Sequence, residues 1–268
     1  MHAVSSPAQP RTFSLSFAAL DVLGQTLGLN LRHFPLEIPS FGQFEEDRLR
    51  IAKAVFTDLG RRGLIRSGRV DRDVDIALRL FDNAGITIAV LGTVADQQIT
   101  ARLAAVGEHA VVAVERGQTV HFELVTTASL ARGAVRLLPD ARPGPGQSVS
   151  VAMPPAERTG EGYRGVPAPI AATEQQRRIA QGMLDRPRTG SGFFLVHGRG
   201  RHGRSRLTGS LNWIDTDAGR YLMLSRPTED GATRGTCSPA DNARLTQHLA
   251  ELVDAAAGRP AVGATRGS

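Results

Sequence analysis

The stretch FFLVHGRGRHGRSR, Phe193 to Arg206, holds the residues in this chain whose spacing most invites chemistry. An apolar run leads into Gly198, Gly200 and Gly203, the G-x-G-x-x-G spacing of a phosphate grip, with arginines alongside. That fingerprint binds a dinucleotide only when its third glycine lies in a helix whose N-terminal amides face the pyrophosphate, inside a βαβ unit. The residues that follow, RSRLTGSLNWIDTDAGRYLML, hold Gly209, β-branched and aromatic residues and a turn at Asp217-Ala218-Gly219. They describe a hairpin. The three glycines therefore read as a structural connection between strands, where glycine permits close backbone approach or positive φ. If Gly200 holds that positive φ, a β-branched residue in its place is costly.

Other chemistry fails on similar grounds. Asp215 and Asp217 open like a calcium loop, but the twelfth position is Arg226 where a bidentate glutamate is needed. Ser205 in GRSRL lacks the second glycine of a nucleophile elbow. His197, His202 and Cys237 match no established zinc spacing, and a single cysteine cannot form an intrachain disulfide. We expect no catalytic residues, no cofactor and no metal.

The formal net charge of +6 raises nucleic acid as a partner. It rests almost wholly on arginine, with Lys53 the only lysine, and acids are interleaved in FEEDRLR and RVDRDVD as on solvated helix faces. Only Arg199, Arg201, Arg204 and Arg206 make a local patch. A nucleic-acid binder using the Arg199 to Arg206 loop is the alternative function, opposed by the missing RNP aromatic motif and recognition helix. No apolar run approaches the roughly 20 residues of a membrane helix, and MHAVSSPAQPRTF lacks a signal-peptide h-region, so a cytoplasmic protein without membrane insertion is expected.

The elements that must position these residues follow from periodicity. Residues 1–13 read as a flexible tail. Phe17, Leu20, Leu23 and Leu27 share a helical face, and FPLEIP reads as a short extended piece. A second helix starts near Glu45 with Leu49, Ala52, Phe56 and Leu59 as its core face, ended by Gly63. A third carries Val74, Ala77, Leu78 and Phe81. Four strands follow, ITIAVLG, QITARLAAV, HAVVAVE and TVHFELV, and then a helix with Leu130, Ala134 and Leu137. Residues 139–169 hold seven of the fifteen prolines and read as a connection with one strand at SVSVAM. The order then returns: a helix capped by Thr173 with Gln176, strands GFFLVHG, LTGSLNWID, RYLMLSR and ATRGTCS, and a final helix. Ser238 is its expected cap, Pro239 its first turn, and Leu245, Leu249, Leu252 and Val253 its inner face.

Two halves with the order helix, four strands, helix predict an α+β fold. Its expected form is a pseudo-twofold antiparallel sheet with flanking helical bundles. The expected organisation is one domain over 14–257, with halves 14–138 and 170–257 joined by 139–169, and a tail at 258–268.

HGRGRHG, WIDTDAGRYL and CSPADNARLTQHLAELV together resemble the C-terminal signature of the EspG family, the cytosolic chaperones of actinobacterial ESX (type VII) secretion systems. ALDVLGQTLGL, LGRRGLI, GRVDRDVDIALRLF and GEHAVVAVERGQTVHFELV are similar to its earlier elements. The frame of Gly198, Gly200 and Gly203 is kept, while Arg201 and His202 depart from the glutamine and aromatic residue common in the family. The resemblance implies a non-enzymatic binder of a PPE-type helical secretion substrate, usually a PE–PPE heterodimer, with no cofactor. It implies a partner near Gly92 to Gln98 and strands of the second half. The named contacts are Asp96, Gln97 and Gln98 on the rim and Trp213, Tyr221 and Met223 as face anchors, with a core role as the alternative for Trp213 and Met223.

Overall fold

A computed structural model describes residues 12–153, 170–171, 174–200, 203–227 and 233–259. It is a mixed α+β structure with a large antiparallel sheet of eleven strands. The chain forms two compact units, one of residues 1–85 and 101–130, the other of 86–100 and 131–268.

In the first unit, β1 (Thr12–Ser16) leads directly into α1 (Phe17–Leu27), where Ser16 caps the helix by accepting from the Ala19 amide at 3.1 Å. Thr12 and Phe13, expected to belong to the tail, are part of β1, and Phe13 stacks on Phe122 at 5.2 Å. α2 (Glu45–Arg61) ends at Gly63, whose φ of 71° suits glycine alone. α3 (Arg72–Asp82) buries Val74, Ala77, Leu78 and Phe81, as its spacing predicts. FPLEIP forms no strand; Leu36 and Ile38 are buried from an irregular segment. A short hairpin, β2 (Ile65–Arg66) and β3 (Arg69–Val70), precedes α3. The strands β5 (Gln97–Val106), β6 (His109–Arg116) and β7 (Thr119–Thr126) pair as a meander with β1 at its outer edge, in the order β1-β7-β6-β5. Phe81 of α3 meets Phe122 of β7 edge-on at 6.1 Å, at the centre of this core.

The face of α2 differs from expectation. Val55 and Leu59 are buried, with Ile51 and Ala52 packed beside them, while Leu49 is 65% and Phe56 36% exposed. The docking face is 51-52-55-59, so Ala52 and Leu59 of the expected face reach the core while Leu49 and Phe56 lie to one side of it.

In the second unit the order is β5-β4-β10-β11-β12-β13-β8-β9, the first residues of β5 belonging here. The new strands are β4 (Ile86–Val94), β8 (Val149–Met153), β9 (Ile170–Ala171), β10 (Arg188–Arg199), β11 (Ser205–Thr216), β12 (Gly219–Pro227) and β13 (Thr233–Pro239). α4 (Leu130–Val135), α5 (Glu174–Leu184) and α6 (Asn242–Ala256) complete the chain. The order α3-β4-β5-β6-β7-α4 is thus repeated as α5-β10-β11-β12-β13-α6. Helices lie on both faces of the second unit: Leu252 of α6 lies against Gly209, and Ala180 and Met183 of α5 pack with Tyr221 and Met223 on the other side.

The cap of α6 is Asp241, whose carboxylate accepts from the Arg244 amide at 2.8 Å; Ser238 and Pro239 are the end of β13. Pairing of Ser238 with Leu222 carries the strand past the residue expected to start the helix. Thr173 lies outside the described residues. Within the proline-rich connection, 139–146 is fastened to β12: Gly144 donates to the Arg220 carbonyl at 3.0 Å, Arg220 donates to that of Arg142 at 2.9 Å, and the Tyr221 hydroxyl donates to that of Pro145 at 2.9 Å.

Candidate functional site

The glycine loop closes a β-hairpin. β10 and β11 pair antiparallel from Arg199 with Ser205 back to Arg188 with Thr216. No helix follows, and the phosphate-grip reading ends there. The loop's positive φ belongs to Gly203, at 73°, and Gly200 is not among the positive-φ glycines. Gly198 serves close approach: a Cβ there would lie 2.6 Å from the Ala256 carbonyl oxygen and 3.1 Å from its Cα, in the last turn of α6. Gly198→Val should therefore cost about 1–3 kcal/mol by pushing α6 away, and Gly203→Val a similar amount by strain. At Gly200 a Cβ meets only the Arg204 carbonyl oxygen at 3.5 Å, an ordinary contact, so Gly200→Ala should stay within about 0.5 kcal/mol of the parent in urea unfolding. Arg199, Arg204 and Arg206 are exposed along this hairpin, and Arg201 and His202 lie outside the described residues.

The expected rim residues lie at a second hairpin tip. Ala95 and Asp96, with φ of 46° and 63°, make the two-residue turn between β4 and β5. Positive φ at both positions gives a turn whose twist matches the strands, and a short acidic side chain tolerates it. The Ala95 amide donates to the Thr189 carbonyl at 3.0 Å, tying the tip to the start of β10. Asp96, Gln97 and Gln98 are exposed there, and the Gln98 amide group donates to the Thr100 hydroxyl at 3.2 Å.

Directly behind this tip the sheet is made of glycine. Gly92 pairs with Gly192, which pairs in turn with Trp213, and the indole lies over both glycines. A Cβ on Gly92 would stand 2.6 Å from the Trp213 Cζ2 and 2.5 Å from the Ser191 carbonyl oxygen; one on Gly192 would overlap the same ring. Phe194 packs against Trp213 at 4.9 Å between ring centroids.

The three proposed face anchors are core side chains: Trp213 and Tyr221 are 0% exposed and Met223 1%. The pairing also separates them. Trp213 lies opposite Leu222 while Tyr221 lies opposite Ile214, so the pleat puts Trp213 on the α6 face and Tyr221 with Met223 on the α5 face. No single face gathers the three, and none has side-chain surface open to a partner.

Residues that sequence reasoning missed hold this unit together. Arg220, fully buried, forks onto Asp215 with Nε to Oδ1 at 2.6 Å and Nη2 to Oδ2 at 2.8 Å. It also donates to the Pro139 carbonyl at 3.1 Å and to the Asn242 side chain. The Asp215 carboxylate is thereby spent on a guanidinium, which removes it from calcium chemistry. A comparable hub in the first unit is Asp21, which accepts from Arg32 at 2.6 Å, from Arg48, and from the Phe41 amide at 3.0 Å at the edge of a cleft of about 410 Å³. The signal for Arg220 lay in the turn: two residues at 217–218 place 215 opposite 220.

Burial pushes the Cys237 thiol up to about 11, keeping it protonated at neutral pH. Among the described residues no group of three or more histidine, cysteine, aspartate or glutamate side chains could hold a metal ion. None of their helices is long and apolar enough to cross a membrane.

A comparison with curated proteins gives no match. Among solved structures, the chain is similar to the Mycobacterium tuberculosis type VII secretion system chaperone EspG5, determined in complex with a PE25–PPE41 dimer. The likeness has a TM-score of 0.62 at 15% identity and covers 91% of this chain and 96% of that one. The sequence itself matches the EspG family over residues 16–251, through both compact units and both glycine-lined hairpins, and the chain belongs to that family.

Proposed function

We propose that this protein is a cytoplasmic, non-enzymatic chaperone that holds a PE–PPE type substrate soluble for ESX (type VII) secretion. The observation that carries this reading is the family match over residues 16–251, supported by a fold shared with a chaperone solved on such a dimer. Because the match runs through both units, 14–257 acts as one EspG-like domain. The repeat of element order, with the first strands of the two repeats, β4 and β10, paired antiparallel, supports a twofold relation between the halves. A helical secretion substrate with an apolar tip self-associates in water, and a preformed protein surface with a polar rim covers that tip without bond chemistry.

Asp96, Gln97 and Gln98 are the rim contacts in this reading. Their tip is exposed, yet its backbone is pinned to β10, so contact with a substrate orders little further chain. Trp213, Tyr221 and Met223, buried on opposite faces of the sheet, contribute indirectly by setting its shape.

The test is co-expression with a PE–PPE pair encoded in the same genome. The expected result is a soluble complex on size exclusion, with the PPE partner precipitating or oligomerising when expressed without it. Asp96→Asn, which keeps a side chain suited to positive φ, combined with Gln97→Ala should weaken the complex by about tenfold or more at unchanged melting temperature. Failure of every encoded pair to bind the folded protein sinks the reading, and an intact complex with the hairpin variant removes that tip from the interface.

A further inference from the structure

The cleft at the Asp21 hub carries a surplus of one kind of polar group. Its volume of about 410 Å³ lies in the range of small-ligand sites, and its charged members are Asp21, Arg32 and Arg48, so two guanidiniums meet one carboxylate. Asp21, buried in α1, accepts from Arg32, from Arg48 and from the Phe41 amide. Every N–H of Arg48 is engaged. Its Nε and Nη2 donate to Gln25 Oε1 at 3.0 and 2.6 Å, Nη1 to the Asp21 carboxylate and, at 2.7 Å, to the Phe41 carbonyl, and Nη2 also to the Asp21 carbonyl at 3.5 Å. Arg32 donates through Nε to the Ile38 carbonyl at 3.0 Å and through Nη2 to Asp21 and, at 2.8 Å, to the Ser40 hydroxyl. Its Nη1 has no hydrogen-bond partner among the described residues, and the side chain is 50% exposed.

The side-chain groups left over at the cleft are donors: the N–H groups of Arg32 Nη1, the Gln25 amide nitrogen, whose oxygen is taken by Arg48, and the Ser40 hydroxyl proton, whose oxygen already accepts from Arg32. The lining bears one net positive charge, and its apolar part includes the buried Leu20, Leu31 and Ile38. A complementary ligand brings acceptor oxygens and a single negative charge on an apolar body. A phosphate monoester, at a charge near −2, exceeds the one guanidinium in surplus and sets further charged oxygens against leucine and isoleucine carbon. We propose that this cleft binds a carboxylate joined to an apolar group, with Arg32 Nη1 as its main donor and Gln25 and Ser40 beside it. Two sources share that chemistry, a free fatty acid and the C-terminus of a peptide that ends in an apolar residue. Every lining residue belongs to the first unit, so binding here involves none of the rim residues Asp96, Gln97 and Gln98.

Titration calorimetry of the full chain with octanoate and with N-acetyl-leucine, each beside its own carboxamide, tests this. At least one of the two carboxylates should bind with a dissociation constant of about 1 mM or tighter, and its carboxamide about tenfold or more weakly. Tighter binding of octanoate assigns the site to a fatty acid, and tighter binding of N-acetyl-leucine assigns it to a chain terminus. Arg32→Met removes the surplus charge while Asp21 keeps Arg48 and the Phe41 amide, and should weaken the carboxylate about tenfold or more in protein whose circular dichroism matches the parent. Ser40→Trp, at an exposed position of the lining, leaves both guanidiniums on Asp21, fills the cleft by volume and should weaken binding as much. Failure of both carboxylates to bind below about 10 mM overturns the proposal. So does a carboxamide that binds as well as its acid, inorganic phosphate that binds more tightly than either carboxylate, or carboxylate binding unchanged by Ser40→Trp.

Discussion

Arg220→Ala is expected to lower the stability of this protein by about 3–5 kcal/mol, the range found when one member of a buried ion pair is removed. Arg220 is 0% exposed and its Asp215 partner 6%. The truncation strands a carboxylate in the interior and leaves the Pro139 carbonyl and the Asn242 side chain without their guanidinium donor. The loss reaches beyond one hairpin, because the same guanidinium ties β11 and β12 to the segment after α4 and to the first residue of α6. Arg220→Lys keeps the charge but not the planar fork, and should fall between the parent and the alanine variant. Replacing both partners, as Asp215→Leu with Arg220→Met, should cost less than Arg220→Ala alone, since no charge is then left buried. Urea unfolding reads all of these as shifts in midpoint at constant slope. A loss below about 1 kcal/mol for Arg220→Ala would mean that water reaches the pair and screens it.

That ion pair also marks where sequence reasoning stops. The strands and most helices were legible because each has one periodicity: β7 alternates Val120 and Phe122 inward with His121 outward, and α3 repeats Val74, Ala77, Leu78 and Phe81. α2 was half legible. Its expected face of Leu49, Ala52, Phe56 and Leu59 held at Ala52 and Leu59 and failed at Leu49 and Phe56, because the neighbouring Ile51 and Val55 are equally apolar and tertiary packing selects them. The α6 cap was displaced by three residues because Ser-Pro-Ala-Asp contains two residues able to cap, and strand pairing of Ser238, a long-range fact, decided for Asp241. The family was legible from grouped motifs, and the glycine frame from its spacing. Which glycine does what was not, since positive φ at Gly203 and helix approach at Gly198 depend on partners elsewhere in the chain. The rim hairpin could be named by resemblance alone; that its tip is a two-residue turn pinned to Thr189 belongs to the structure.

Trp213→Ala should likewise cost about 3–5 kcal/mol, the range for truncating a buried large aromatic side chain. It should do so before any substrate is present. The indole does the packing that Gly92 and Gly192 cannot, covering backbone on two neighbouring strands and meeting Phe194. Removing it opens a cavity that these glycines have no side chains to fill, directly behind the Ala95-Asp96 turn. Trp213→Phe should be far milder. The indole Nε1 is buried with no acceptor among the described residues, so phenylalanine gives up packing area but also removes an unpaired donor. The reciprocal change, Gly192→Ala, should be severe and should not be rescued by Trp213→Ala, because its Cβ would also stand 2.5 Å from the Leu91 carbonyl oxygen, a backbone atom of the paired strand. Thermal and urea unfolding of the isolated chain separate this role from substrate contact. If Trp213→Ala keeps its full stability and loses only the PE–PPE complex, the side chain must leave the core on binding, and the glycine floor beneath it would be the hinge that lets it move.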